Sequence, residues 1–197
     1  MRIIAGQFRS RTLASPTGMA TRPTSDRLRE TLFNVLAPRM EGAHFLDLYA
    51  GSGAVGIEAL SRGAADAMFV EKAPAALGVL RANLERLGIT DGFRVDGGSV
   101  ATWLRKTQGH AAGRLKFDIV FLDPPYDAAE EYDLTLGRLG GEAGNLLSSG
   151  AAVIAEHRRR EQLEERYGAL ERTRLLEQGD AGLSFYTVNS TNVDGQE

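Results

Sequence analysis

From residue 44 onward, apolar runs of five or six residues alternate with stretches in which leucine or alanine recurs every three or four positions. The run Phe-Leu-Asp-Leu-Tyr-Ala at 45–50 predicts a strand, followed by a glycine loop and a helix from Ala54 to Arg62 that Gly63 closes. A second unit has a strand at 67–71 and a helix opened by Pro74. In it Leu77, Leu80, Leu84 and Leu87 share a face and Gly88 stops the helix. A strand at 93–95 precedes a helix at 100–106. A strand at 117–122 runs through a Pro-Pro turn into a helix at 130–139, and a fifth strand occupies 151–155. Strands alternating with helices in this way predict an α/β fold whose parallel sheet is covered on both faces. The rhythm then changes: 172–177, a turn at 178–180 and 182–188 predict a hairpin, so the last strand runs antiparallel.

Ahead of this body, residues 2–13 read as two short strands around a glycine turn, a small β-hairpin. Thr24 or Ser25 is placed to cap a helix with Leu28, Leu32, Val35 and Leu36 on one face and Arg27, Glu30 and Asn34 on another. The expected organisation is a basic N-terminal hairpin over 1–20, one main domain over 21–188, and a frayed polar tail over 189–197. No internal repeat or linker divides the main body.

Composition narrows the class. A hydrophobic fraction of 43% and a charged fraction of 25% exclude wholesale disorder and fibrous repeats. With no cysteine and three scattered histidines, the chain excludes disulfides, thiolate catalysis and a Cys/His zinc site, and no metal is expected. No apolar run approaches a membrane span and the N-terminus lacks the apolar core of a signal peptide, so a cytoplasmic protein with no membrane partner is expected. Charge is uneven: residues 1–43 hold seven arginines against three carboxylates, a net of +4, leaving −7 for the rest. A basic leader on an acidic body suits a segment that grips a polyanion while the body does something else; the plain alternative is a solvated arginine-rich surface.

The sequence Gly51-Ser-Gly53-Ala-Val-Gly56 follows a strand and opens a helix, and Glu71 stands 20 residues beyond Gly51 at the end of the next strand. This is the GxGxxG arrangement for an adenosine cofactor: glycines admit close backbone approach, the helix start favours negative charge, and the carboxylate accepts both ribose hydroxyls. Asp47 decides between two cofactors. A carboxylate there would repel a pyrophosphate, but attracts the ammonium and sulfonium of S-adenosyl-L-methionine.

Asp123-Pro124-Pro125-Tyr126 follows the fourth strand at the carboxyl edge, where open α/β sheets bind ligands. Two prolines hold the backbone extended and remove two N–H donors, leaving outward carbonyls that suit a planar NH2 group. If Asp123 and the Pro124 carbonyl each accept one N–H of a nucleobase amine, its lone pair is turned toward the methyl donor. Tyr126 would stack on the base. Guanine N2, adenine N6 and cytosine N4 all fit this chemistry.

Through these motifs the chain resembles the class I S-adenosyl-L-methionine-dependent methyltransferases, and more closely the RsmD-type family of 16S ribosomal RNA guanine-N2 methyltransferases. The matching stretches are Met1-Arg-Ile-Ile-Ala-Gly, Arg22-Pro-Thr-Ser-Asp-Arg-Leu-Arg-Glu-Thr-Leu-Phe-Asn34, the segment from Asp47 to Gly63, Asp123-Pro-Pro-Tyr126, and Gly179-Asp-Ala-Gly-Leu-Ser-Phe-Tyr186. The resemblance implies a Rossmann-like, seven-stranded and mostly parallel sheet with an antiparallel last strand, S-adenosyl-L-methionine as donor, and a guanine of the small-subunit head as target. It places Asp47, Gly51 and Gly53 around the methionine part, Glu71 on the ribose, and Asp123, Pro124, Pro125 and Tyr126 at the target amine. Tyr49 and Gly56 join the cofactor-binding set. Where the family commonly carries Asp or Asn toward the adenine amine, this chain has Ser99, with Asp96 as the alternative, and Ala73 replaces an acidic residue that often follows Glu71.

Arg2, Arg9, Arg11, Arg22 and Arg27 are the candidate phosphate contacts for 16S rRNA, within the small subunit or an assembly intermediate. A monomer is expected. The run His157-Arg-Arg-Arg160 leads into glutamates and reads as a solvated helix face. Trp103 reads as core, and neither His44 nor His110 has a partner suggesting catalysis. Two rival readings stay open: an amino-methyltransferase acting on adenine N6 in DNA or RNA, and a dinucleotide-dependent oxidoreductase, which Asp47 and the Pro-Pro turn oppose.

Overall fold

The computed structural model describes residues 1–15, 26–107, 116–125 and 129–188. Five parallel strands, β1 (His44–Leu48), β2 (Asp66–Val70), β3 (Phe93–Asp96), β4 (Phe117–Leu122) and β5 (Leu147–Arg158), are followed by β6 (Arg166–Tyr167), β7 (Leu170–Gln178) and β8 (Ala181–Val188). They form one sheet in the order β3-β2-β1-β4-β5-β8-β7-β6. The strands from β5 to β6 pair antiparallel. The seven expected strands are all present, and β6 adds a two-residue bridge at the edge.

Helices α1 (Asp26–Leu36), α2 (Ala54–Ser61), α3 (Pro74–Leu87), α4 (Val100–Thr107) and α5 (Glu130–Leu139) cover the sheet. One core layer packs α1, α2 and α3 on Phe45, Phe69, Ile119, Phe121 and Ile154. The other packs α4 and α5 on Leu46, Leu48, Val120, Leu122 and Val153, with Trp103 buried in it as expected. Alternate residues of each central strand therefore face opposite layers, both dry, which is why these strands read as unbroken apolar runs. The order reverses between β1 and β4, and ligands of such sheets bind at that switch point, above the strand carboxyl ends.

Two expectations are corrected. Residues 2–13 double back on themselves, but an antiparallel bridge between Arg2 and Thr12 replaces the two expected strands, flanked by Ile3 N–H to the Arg11 carbonyl, Leu13 N–H to the Met1 carbonyl and Ser10 N–H to the Ile3 carbonyl. The turn between them bonds to α2: Ile4 and Ala5 N–H donate to the Glu58 carboxylate, Gln7 N–H to the Ser61 carbonyl and Phe8 N–H to Ser61 Oγ. The run His157–Arg160 is no helix face. His157 and Arg158 end β5, paired with Gly182 and Ala181 of β8, and His157 is buried with Nε2 2.9 Å from Ser184 Oγ. Its run of charges hid a strand that is longer than its apolar centre.

The leader is anchored ionically. Arg29, counted from sequence with the basic surface, is fully buried; it donates to the Arg2 carbonyl and to Asp26 Oδ1. Its Nε lies 3.8 Å from Glu58, itself fully buried and bonded to Arg62 Nε at 2.7 Å. Removing one member of such a cluster strands the remaining charges in a dry site, so Glu58→Ala should lower unfolding free energy by about 3–5 kcal/mol. Urea denaturation reads this directly, with early proteolysis of residues 1–15. A loss under about 1 kcal/mol would show that the cluster does not anchor the leader.

Candidate active site

Strand β1 ends at Leu48 and the chain turns at once through the glycine loop into α2. Asp47, one residue before the end of the strand, is buried, and its Oδ2 accepts the Gly56 N–H at 2.9 Å. Burial, opposed by that hydrogen bond and reinforced by nearby Glu71, pushes its carboxyl up to about 7. Asp47 therefore holds α2 against the sheet as well as charging the site. Gly56 is required by packing, since a Cβ there would stand 2.3 Å from the Phe69 ring, and only glycine lets α2 lie this close. Gly53 caps α2 in the left-handed region, φ 78°, pressed against Leu80. Gly51, at φ 55°, lies against no side chain and is partly exposed, whereas Ser52 and Gly53 are buried.

Glu71 follows β2 and accepts Gly51 N–H on Oε2 at 2.8 Å and Ala73 N–H on Oε1 at 2.7 Å. Each oxygen keeps a lone pair for a second donor, so the carboxylate is pre-aimed and can still take a pair of hydroxyls. Two members of the expected cofactor set have other partners. Ser99 Oγ donates to Thr102 Oγ1 at 2.9 Å and accepts Thr102 N–H at 3.2 Å, which makes it the cap of α4. Asp96 Oδ1 accepts Gly98 N–H at 2.7 Å in a turn of its own. The hydroxyl of Tyr49 points away from the loop, into α5.

Asp123, Pro124 and Pro125 leave β4 beside this loop, Asp123 half-buried, Pro124 buried and Pro125 exposed. Register partners Asp47, Phe121 and Ile154 place their side chains toward the α2 layer; Asp123 and Glu156 lie two residues further along β4 and β5, on the same side. Burial, then Glu156 and Asp47, raise the proton affinity of Asp123 well above that of an ordinary carboxyl. Glu156 is also buried and is the acid that sequence reasoning missed; its signal was its place one residue after the apolar run 151–155. Carboxyl groups at the ends of β1, β2, β4 and β5 make an edge that favours a cation and rejects a pyrophosphate. Tyr126 and Arg22 lie outside the described residues.

The basic residues divide into two groups. Arg2, Arg9 and Arg11 are exposed, and Arg11 donates to the Arg86 carbonyl at the C-terminal end of α3. Since α3 runs down from the cofactor edge for 14 residues, Arg11 stands about 20 Å below it. Arg27 is exposed one turn before Thr31, whose Oγ1 donates to Gln178 at the β7–β8 turn on the upper edge. Arg158, Arg159 and Arg160 stand at the carboxyl end of β5 on the same upper edge, where Arg158 pairs with Ala181 and Arg159 N–H donates to the Asp180 carbonyl of the β7–β8 turn. The ion pair of Arg159 with Glu177, at 3.1 Å, is solvent-exposed and weak.

The raised Asp47 carboxyl gives a prediction with a fixed sign. Between pH 4 and 7 the folded state keeps a proton that the unfolded chain releases, so folding stability falls as pH rises through that window. Asp47→Asn retains an oxygen for Gly56 and removes the charge. Urea unfolding across pH 4–8 should show the variant gaining stability relative to wild type with rising pH, up to about 4 kcal/mol. Parallel pH profiles for the two proteins would contradict this.

Known proteins resemble the chain in both sequence and fold. A family described as Conserved hypothetical protein 95 matches residues 1–187. A Bacillus subtilis (strain 168) protein, YlbH, named as a candidate rRNA methyltransferase, is 36% identical over 188 residues, covering 94% of this chain and 98% of that one. The Ribosomal RNA small subunit methyltransferase D of Escherichia coli (strain K12) is 44% identical over 126 residues, covering 64% of this chain and 60% of its own length. Among solved structures, the Escherichia coli protein yhhF, described as a candidate methyltransferase, superposes with a TM-score of 0.81 at 33% identity, covering 96% of this chain and 98% of that one. The glycine loop, the Asp-Pro-Pro turn and the sheet order thus sit within a match that runs almost end to end, and the chain belongs to the Conserved hypothetical protein 95 family, the RsmD family.

Proposed function

We propose that this protein transfers a methyl group from S-adenosyl-L-methionine to the exocyclic N2 amine of a guanine in 16S ribosomal RNA. The observation that carries the reading is the meeting of Asp123-Pro124-Pro125 with the glycine loop at the β1–β4 switch, on an edge lined by carboxyl groups. The names of the relatives, rRNA methyltransferases, support the substrate class.

When bound, S-adenosyl-L-methionine supplies a methyl on a cationic sulfonium. The Gly51 backbone and Glu71 would hold its sugar, and Asp47 and Asp123 would favour its charge. Asp123 and the Pro124 carbonyl accept the two N–H bonds of the amine and fix its plane, which turns the nitrogen lone pair toward the methyl. As the new N–C bond forms and the S–C bond breaks, the amine becomes acidic; Asp123, whose proton affinity is raised, accepts the proton that leaves it. Tyr126 stacks on the base in this reading. Arg27 and Arg158–Arg160 contact phosphates next to the target nucleotide, while Arg2, Arg9 and Arg11 meet RNA further away; Arg22 is a further phosphate contact in this reading. The chain acts as a monomer in the cytoplasm, on small subunits or an assembly intermediate.

The decisive experiment is transfer of labelled methyl to small subunits lacking the modification, followed by nucleoside mass spectrometry. N2-methylguanosine is expected, with Asp123→Ala at least about 10²-fold slower while the donor still binds. N6-methyladenosine would overturn the base assignment, and no label in rRNA would overturn the substrate. Replacing Arg159 and Arg160 by Ala should flatten the salt dependence of RNA binding by about 1–2 in log–log slope for any RNA bearing the target. Replacing Arg9 and Arg11 should do so only for RNA long enough to span about 20 Å. Equal effects on short and long RNA would contradict the division between the two groups.

A further inference from the structure

Tyr49 is the first residue after β1, and its φ of 62° lies in the left-handed region that a side chain with a Cβ rarely adopts. A residue held there needs its surroundings to keep it in place. On one side the backbone is tied to β2, Ala50 N–H donating to the Val70 carbonyl at 3.0 Å and Gly51 N–H to Glu71. On the other side the ring packs on the α4–α5 layer, and its hydroxyl donates to Glu131 Oε2 at 2.8 Å. The same oxygen lies 2.8 Å from Thr135 Oγ1, which is buried and can donate back to it. Glu131 and Thr135 are four apart, on one face of α5. Burial raises the phenol's hold on its proton, so it stays a donor at any working pH.

The placement matters because α5 is the helix that the Asp-Pro-Pro turn leads into, beginning at Glu130 five residues after Pro125. Tyr49 thus has its backbone in the glycine loop and its side chain on the helix that follows the amine-holding turn. We infer that Tyr49 is a positioning residue, a strut that fixes the separation between the methyl donor on the glycine loop and the amine held at Asp123. This rests on the function proposed above. In-line transfer is sensitive to displacements well under the length of a bond, so losing the strut should slow the chemical step without weakening donor binding.

Two readouts test this. In steady-state kinetics, Tyr49→Phe keeps the ring and should lower kcat about tenfold, with the donor dissociation constant changed less than about twofold. Glu131→Ala should do the same, Glu131→Gln should keep most of the activity because an acceptor remains, and the double variant Tyr49→Phe/Glu131→Ala should be no slower than either single one. An unchanged kcat, a loss explained wholly by donor affinity, or full additivity would overturn the strut. The second readout needs no RNA. Amide hydrogen exchange along α5 should slow at least about threefold when S-adenosyl-L-homocysteine binds wild type, and not in Tyr49→Phe. Equal protection in both, or none in wild type, overturns the strut; wild type that shows the α5 protection but methylates no RNA upholds the strut and refutes only the proposed substrate.

Discussion

The buried hydrogen bond from the Gly56 amide to the Asp47 carboxylate fixes where α2 leaves the sheet, and the upper edge is built around that point. It works only because Gly56 has no side chain to strike Phe69, and because the loop before it turns through left-handed glycines 51 and 53. With α2 seated, Gly51 comes within 2.8 Å of Glu71 and the loop is tied across to β2. Tyr49, forced into the same left-handed turn, carries the constraint the other way, to α5. One short segment thus reaches both the neighbouring strand and the helix beyond the Asp-Pro-Pro turn.

The cost of this arrangement is electrostatic. Asp47, Asp123 and Glu156 rise from three adjacent strands on one side of the sheet, and burial pushes the first two toward their protonated forms. Such crowding destabilises the empty protein as pH rises and is relieved when a cation arrives. A site that stores like charge in this way selects its ligand by sign before it selects by shape. Arginines also flank this edge, Arg27, Arg159 and Arg160 exposed, so negative and positive charge stand on neighbouring but separate surfaces.

Much of the architecture was legible because both sheet faces are dry: β1, β2 and β4 read as apolar runs, and α3 announced itself through Pro74, its leucine spacing and Gly88. The segment 2–13 reads as a hairpin in sequence and does double back, but the donors of its turn, Ile4, Ala5, Gln7 and Phe8, go to Glu58 and Ser61, partners more than fifty residues away that no local pattern shows. Strand β5 extends beyond its apolar run because its upper end, Glu156 to Arg158, is polar and is defined by pairing with β8. At the carboxyl edge, residue identity put forward Asp47, Glu71 and Asp123 as candidates but not the contacts that hold Asp47 and Glu71. Ser99 caps a helix, Gly56 is required by packing against Phe69, and Arg29, which looked like surface charge, is core. For Gly56 and Arg29 the deciding fact was a contact distant in sequence; for Ser99 it was a local one whose geometry only the folded chain displays.

A β1–β4 edge made for a cationic adenosine cofactor must couple donor binding to loss of protons from its carboxyl groups. Isothermal titration of the protein at pH 6 in buffers of different ionisation enthalpy, with S-adenosyl-L-methionine and with NAD, tests it most directly. Binding of S-adenosyl-L-methionine accompanied by proton release, with no measurable binding of NAD, is the expected result. Tighter binding of NAD, or uptake of protons with S-adenosyl-L-methionine, would contradict it.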